Sequence, residues 1–442
     1  MSFNDFNLTT PLRNALDELG YTEPTTIQEK AFSVVMSGAD VIGIAQTGTG
    51  KTLAYLLPCL RQIKFNKVKV PQLVIVVPTR ELVVQVVEVI EQLTKYTTIT
   101  ALGVYGGASI NTQGALLREG VDVVVSTPGR MIDFLNNGAL YSRDIKKLVI
   151  DEVDEMLNLG FRFQVVQILE LIPSKRQHLM FSATLTEEVE ILIDTFFSNP
   201  IKIEAAPSGT PLDRIDQKLY YVPNFNTKVS LLCHLIENES SFNKVIVFTE
   251  SKKLADALYN IVNTEFVDDI GIIHSNKAQN HRFNTVNKFK EGTIRILIAT
   301  EIIARGLDIS EVSHVINFDT PEFPEDYIHR IGRTGRAENK GIAISFITPK
   351  DEERLSAIET LMQSKINVLN LPENVALSEE LTDYESPKIR MKNIQLKYWK
   401  LKLRGEAFHD KKDKNKKINI KVTRVQQLKL KYKKPKTRGQ KK

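Results

Sequence analysis

Short runs of Val, Ile and Leu, each closed by a turn, recur along this chain and constrain its fold more than any other feature. In the first 205 residues they are Val41–Ala45, Leu73–Val77, Ala101–Tyr105, Val121–Ser126, Leu148–Asp151 and Leu179–Ser182. A strand with one face in water alternates apolar and polar residues. These runs do not, so they read as strands covered on both faces, the condition of a parallel sheet between helices. Arg80–Leu93 carries helical spacing between two of them, and Thr127-Pro128-Gly129 marks a turn. A second series follows: Val245–Phe248, Ile270–His274, Ile294–Ala299, His314–Phe318 and Ile342–Ile347, ending near Leu371. The small, Pro- and Gly-containing stretch Ala205–Pro211 between them reads as a linker. The expectation is an α/β chain with two open parallel sheets in tandem. Its bounds are 1–206, a linker at 207–211, 212–371, and an extension over 372–442. Such sheets bind ligands beyond the carboxyl ends of their strands, where the conspicuous polar motifs of both halves fall.

The first of these motifs is Ala45-Gln46-Thr47-Gly48-Thr49-Gly50-Lys51-Thr52, between a strand and a helical run. A glycine-rich turn there can aim backbone N–H groups and a helix N-terminus at one anion. Lys51 can reach a terminal phosphate and the Thr52 hydroxyl can ligate Mg²⁺. Ala45 stands where the usual pattern has Gly, and a connection that uses Gly only to turn is the bland alternative. The second motif, Asp151-Glu152-Val153-Asp154, ends the run Lys147–Ile150. Adjacent carboxylates at a strand end suit a Mg²⁺-nucleotide site: Asp151 to hold the ion through water, Glu152 to orient or polarise the attacking water. A surface acidic turn is the alternative, and the phosphate loop upstream weighs against it.

At this point the sequence resembles the DEAD-box RNA helicases of superfamily 2. Asp151–Asp154 is similar to the D-E-A-D signature, with Val153 for Ala. Gly20-Tyr21 with Pro24–Gln28 resembles the Q motif, with Phe3 at the upstream aromatic position. Pro78–Leu82 resembles motif Ia, Gly106-Gly107 the GG doublet, Thr127–Arg130 motif Ib and Ser182–Thr184 motif III. In the second half, Val247–Thr249 resembles motif IV, Gln279 with Arg282 the Q-x-x-R element, Ala304–Asp308 motif V and His329–Arg336 motif VI. The match spans roughly residues 3–350. Gly107–Asn111 and Ile273–Gln279 look like the bacterial RhlE-type subgroup. Glu301 follows Thr300 where the family usually has Asp.

The resemblance implies two RecA-like domains, ATP and Mg²⁺ in the cleft between them, and RNA held mostly by its phosphate backbone. Gln46, Thr47, Gly48, Thr49, Gly50, Lys51 and Thr52 would bind the nucleotide. The Gln28 amide can pair with adenine's N6/N7 edge and Phe3 can stack on the ring. Asp308 would contact the nucleotide, and Arg333 and Arg336 would reach the γ-phosphate as arginine fingers. Catalysis would rest on Lys51, Asp151, Glu152, Arg333 and Arg336. Asp154, Ser182, Thr184 and His329 would couple ATP state to domain closure. RNA contacts would come from Pro78, Thr79, Arg80, Gly107, Thr127, Gly129 and Arg130, and from Thr249, Arg282, Thr300, Arg305 and Gly306. Contacts to 2′-OH groups would select RNA over DNA.

Charge adds one more constraint. The chain has 59 Lys and Arg against 53 Asp and Glu, but residues 386–442 alone hold 22 against three. A basic tail of this kind, with no apolar period, is expected to be disordered in isolation and to seek a polyanion. No run of about 18 apolar residues suggests a membrane span, and the N-terminus has no signal-peptide pattern. Cys59 and Cys233 read as buried thiols. A cytoplasmic monomer is expected, with ribosome-assembly or RNA-decay proteins as possible partners. Three other readings share these motifs: an RNA clamp with little unwinding, a DNA-directed enzyme, and an inactive paralogue.

Overall fold

The computed structural model describes residues 2–46, 48–173, 175–205, 215–238, 241–300, 312–335, 341–382 and 385. Among the expected features, Thr47, the linker at 207–211, Arg305, Gly306, Asp308, Arg336 and the basic tail from 386 lie outside these residues.

Both series of apolar runs form parallel sheets. The first contains β1 (Val41–Ile44), β2 (Leu73–Val76), β3 (Ala101–Val104), β4 (Val123–Ser126), β5 (Lys147–Ile150), β6 (Gln177–Ser182) and β7 (Ile201–Glu204). The second contains β8 (Ile215–Tyr221), β9 (Val245–Thr249), β10 (Ile270–Ile273), β11 (Ile296–Thr300), β12 (His314–Asn317), β13 (Gly341–Ile347) and β14 (Asn367–Leu369). Their orders are β3-β4-β2-β5-β6-β1-β7 and β10-β11-β9-β12-β13-β8-β14, the same seven-strand order written twice. Strands β1, β2, β4, β6, β9 and β12, each with a neighbour on both sides, are buried along their whole length, as continuous apolar runs require. Helices cover both faces. Val83, Val86 and Ile90 of helix Arg80–Thr94 pack on one face of the first sheet, and Met131, Phe134, Val165 and Ile168 on the other.

Three strands escaped the sequence reading: β7, β8 and β14. β7 and β14 are the outermost strands at one end of their sheets and β8 is the neighbour of β14, and polar residues enter all three, as in Ile201-Lys202-Ile203-Glu204. The other strand bounds differ from expectation by one or two residues.

Contacts of the second half continue past Leu371. Ser378 N donates to Thr227 Oγ1 at 3.1 Å, Asn226 Nδ2 to the Glu380 carbonyl at 3.3 Å, and Val375 is buried. Glu385 Oε1 accepts from Phe225 N, the first residue of helix Phe225–Asn238, at 2.6 Å. A carboxylate there satisfies a free N–H and complements the helix dipole. Glu385→Ala is expected to cost about 0.5–2 kcal/mol, read as a lower Tm in thermal unfolding with ATPase retained.

Candidate functional site: a cleft lined by both sheets

The phosphate loop joins β1 to helix Lys51–Arg61. Its glycines have the backbone that the turn demands: Gly48 and Gly50 sit at φ +87° and +89°, a region costly for other residues. At Gly50 a Cβ would also stand 2.3 Å from Gln28 Nε2. Gln28 explains that closeness. Its Nε2 donates to the Gly50 carbonyl at 3.1 Å, and its Oε1 accepts from Thr25 N at 2.9 Å. The amide thus clamps the loop to the start of its own helix. One N–H and one lone pair remain, enough for a bidentate partner. Phe3, by contrast, is 4 % exposed. It meets Phe6 edge-on, and Phe6 stacks on Phe32 at 4.4 Å between centroids. Its ring is part of the core and offers a base no open face. Phe6 and Phe32, which complete that cluster, were not singled out from the sequence.

Lys51 opens the helix and is only 6 % exposed. Its ammonium has no hydrogen-bond partner among the described residues. A buried unpaired ammonium is costly, and an anionic ligand in the glycine cradle would satisfy it. The donor set therefore fits a phosphate.

The acids leave the end of β5 side by side. Asp151 Oδ1 accepts from Glu152 N at 2.9 Å. Glu152 occupies the left-handed region at φ 53°, ψ 49° and still keeps part of its surface open, a strained conformation of the kind that collects at functional sites. Burial pushes its carboxyl up to about 7, aided by Asp151 and Asp154, against the pull of Lys51 and Arg333. Burial also raises Asp151. Val153 is fully buried in the core of this face, so the extra methyls are accommodated by packing.

Asp154 behaves differently. Burial opposes its charge, but His329, Lys51 and Thr184 outweigh it and hold its pKa below the ordinary value. Its Oδ2 accepts from Ala183 N at 3.1 Å, Thr184 N at 2.8 Å and Thr184 Oγ1 at 2.9 Å. Ser182 Oγ donates to the Thr184 carbonyl at 2.6 Å. The expected link between Asp154 and Ser182–Thr184 is thus made chiefly by Thr184.

The second half supplies the opposite wall. Lys51, Glu152, Asp154, Ala183, His329 and Arg333 line one small pocket. His329 lies on helix Pro324–Ile331 and Arg333 just beyond it, both buried. Arg330 faces away: its guanidinium donates to the Asp319 carbonyl at 2.6 Å and lies over the Phe248 ring.

A second bridge between the halves was missed. Glu81 is 5 % exposed, and its Oε1 takes Arg282 as an ion pair and Gln279 Nε2 at 2.9 Å. Arg282 was expected on phosphate; a buried carboxylate holds it instead. Arg130 departs in the same way. Its guanidinium donates to Gln113 Oε1 and, at 3.0 Å, to the Ala108 carbonyl. A turn motif containing Arg does not say whether its partner is an anion or the protein's own acceptors.

The other expected contacts lie at strand ends. Thr79 caps helix Arg80–Thr94 through Leu82 N, beside buried Pro78. The Arg80 guanidinium lies against Gly107, where a Cβ would stand 2.2 Å from its Nη1, and Gly107 has φ +85°. Gly129 is exposed beside Thr127, the residue before helix Pro128–Asn136. Thr249 and Thr300 end the paired strands β9 and β11, and the buried Thr249 hydroxyl has no partner among the described residues.

The repeated topology explains why only one half carries a phosphate cradle. After β8, which holds the place of β1, the chain runs Val222-Pro223-Asn224 without glycine. Asn224 caps the next helix through Thr227 N at 3.0 Å, and Glu385 fills its remaining need for an acceptor. The first-turn lysine, Lys228, is neutralised by Asp319 at 2.9 Å. Among the described residues Lys51 has no such bond.

Residues 25–192 match the family model for the DEAD/DEAH box helicase, and residues 227–338 match that for the helicase conserved C-terminal domain. The DEAD-box ATP-dependent RNA helicase RhpA of Helicobacter pylori is 37 % identical over 416 residues, covering 90 % of this chain and 84 % of that protein. CshA of Bacillus cereus, of the same description, is 38 % identical over 84 % of this chain and 70 % of its own length. The fold is similar to that of S. cerevisiae Dbp5 bound to RNA and ADP BeF3, with a TM-score of 0.75 and 30 % identity over 84 % of this chain and 96 % of that one. It is also similar to Mss116p bound to ssRNA and AMP-PNP, with a TM-score of 0.76 and 26 % identity over 83 % and 78 %. With these matches across both sheets, the chain belongs to the DEAD-box ATP-dependent RNA helicases, and its fold is a pair of RecA-like domains.

Proposed function

We propose that the cleft hydrolyses ATP only when both halves close on it, and that closure strains one RNA strand so that a short duplex loses its partner locally. The observation that carries this is the buried, unpartnered Lys51 ammonium facing Glu152 with Arg333 across the cleft. Lys51 and the glycine N–H groups hold phosphate oxygens. Glu152 orients the attacking water and takes up its proton. Arg333, with Arg336 by family pattern, stabilises charge on the transferred phosphoryl group. Thr52 and Asp151 would hold Mg²⁺, which neutralises phosphate charge when bound. Among the described residues no group of three or more His, Cys, Asp or Glu could cage a metal, and Mg²⁺ in such sites keeps mostly water and phosphate ligands. Asp154, through Thr184 and His329, reports the state of the cleft to both halves.

RNA is held by Thr79, Arg80, Gly107, Thr127, Gly129, Thr249 and Thr300, which suit phosphate contacts without base reading. Arg130 and Arg282 are better read as braces for those loops. The RhlE-like subgroup, a cytoplasmic location and a monomeric state are part of the same reading. No described helix is long and apolar enough to cross a membrane.

Two tests bear on the periphery. Gln28→Ala frees both the loop clamp and the adenine partner, so discrimination of ATP from GTP should fall in competition ATPase assays. A fully retained preference would refute adenine reading. Deleting Ser386–Lys442 should weaken single-stranded RNA binding and flatten its dependence on salt, since each neutralised phosphate releases counterions. The basal ATPase should persist.

A further inference from the structure

We infer that the first domain carries a docking site for an acidic peptide segment of a partner protein, with one apolar anchor residue, at the amino-terminal ends of its central strands, opposite the ATP cleft. A pocket of about 530 Å³ opens there, a volume typical of a ligand site. Ile63, Leu73 and Cys59 form its apolar floor. Leu73 begins β2 and Lys147 begins β5, whereas Asp151 follows the far end of β5. The two sites are thus separated by the length of that strand, about 13 Å for four residues.

The rim is basic. Arg61, Lys64, Lys146 and Lys147 line the pocket, and Lys67 and Lys69 follow in the adjoining loop. Of these six, only Lys69 has a carboxylate within 4 Å among the described residues, Asp122 at 3.5 Å. Burial lowers the pKa of Lys147, so an arriving carboxylate would relieve a cost already present. The loop also presents two apolar side chains to water, Phe65 at 82 % and Val68 at 70 % exposure. Its base is fixed: the Gln72 amide donates to the Lys64 carbonyl at 2.7 Å and accepts from Lys64 N at 3.1 Å. A braced loop that holds a phenylalanine in solvent and adjoins an apolar pocket, whose rim cations are mostly without a carboxylate, matches an acidic partner with an apolar side chain.

Other occupants fit this surface less well. The chain's own tail carries 22 Lys and Arg against three acids, the wrong sign. Single-stranded RNA needs a basic groove that tracks its backbone over several nucleotides, whereas these cations gather around one apolar pocket.

The probe is a fluorescein-labelled heptapeptide, a phenylalanine flanked by three glutamates on each side, titrated into the full chain by anisotropy. Binding is expected for the wild type. Phe65→Ser, or Phe to Ala in the peptide, should weaken it about tenfold or more, the scale of losing one buried aromatic contact. The double variant Lys64→Glu with Lys67→Glu should abolish it. RNA-stimulated ATPase should be unchanged in both protein variants, which also reports that they fold. Three results would each overturn the inference: no binding by the wild type, equal binding by wild type and variants, or variants that lose a labelled oligouridylate instead of the peptide.

Discussion

Replacing Glu152 by Gln should lower ATP turnover by roughly 10²–10⁴-fold, the range for removing a general base, while ATP and RNA stay bound. The amide keeps the size and the strained backbone, so the cleft is preserved and only proton acceptance is lost. Lys51 and the glycine loop still hold ATP, and the closed RNA complex should persist. Slow RNA release in a chase experiment would mark the trapped state. Unchanged turnover would remove Glu152 from the mechanism. Its raised pKa adds a second signature. In the free chain the carboxyl titrates near 7, so the fraction able to accept a proton falls below that pH. ATPase should decline from pH 8 to pH 6 in the wild type, and the residual rate of the variant should lack that limb. Stability follows with the opposite sense. A carboxyl whose pKa is raised on folding favours the folded state while protonated, and that contribution is lost as pH rises through 7. The Gln variant should therefore gain Tm relative to wild type as pH is raised across that window.

Arg333→Ala should be more damaging, about 10³–10⁵-fold in ATPase rate, the range for an arginine finger. The reason lies in where the residue sits. Arg333 belongs to the second sheet's half, yet its charge is felt by Glu152 at the end of β5. Its contribution should be spent on charge that develops in the transition state, so binding of ATP should change little while the rate collapses. Arg333→Lys should recover only part, since an ammonium cannot present the planar fork. A comparable fall in ATP affinity and in rate would instead make Arg333 a ground-state binding residue.

The parts of this site that were legible in the sequence are those whose chemistry is local. Gly48, Gly50 and Lys51 suggest a cradle by their spacing after a strand, and Asp151, Glu152 and Asp154, ambiguous alone, gain their reading from that loop upstream. The sheets were legible for a similar reason, because strands buried on both faces cannot hide among polar residues. What the sequence concealed depends on distant partners. Nothing near Arg282 shows that Glu81, 201 positions earlier, is its counter-ion. Nothing near Arg130 shows that Gln113 and Ala108 use its donors. Phe3 could be placed only with Phe6 and Phe32 in view. Glu385, read as part of an extension, is the acceptor that helps close the second half's equivalent of the phosphate loop. Strands β7 and β14, outermost in their sheets, and β8 beside β14 failed because strands near a sheet's end tolerate polar residues, which blurs the apolar run.

These observations join in one claim: ATP hydrolysis in a cleft completed by both halves drives separation of RNA strands. The most direct measurement is displacement of a labelled strand from a short RNA duplex by the full chain, with ATP and with a non-hydrolysable analogue. The account predicts ATP-dependent displacement, multiple turnovers with ATP only, and loss of both in Arg333→Ala. Equal RNA binding under both nucleotides with no strand displaced would contradict it and leave the protein an RNA clamp.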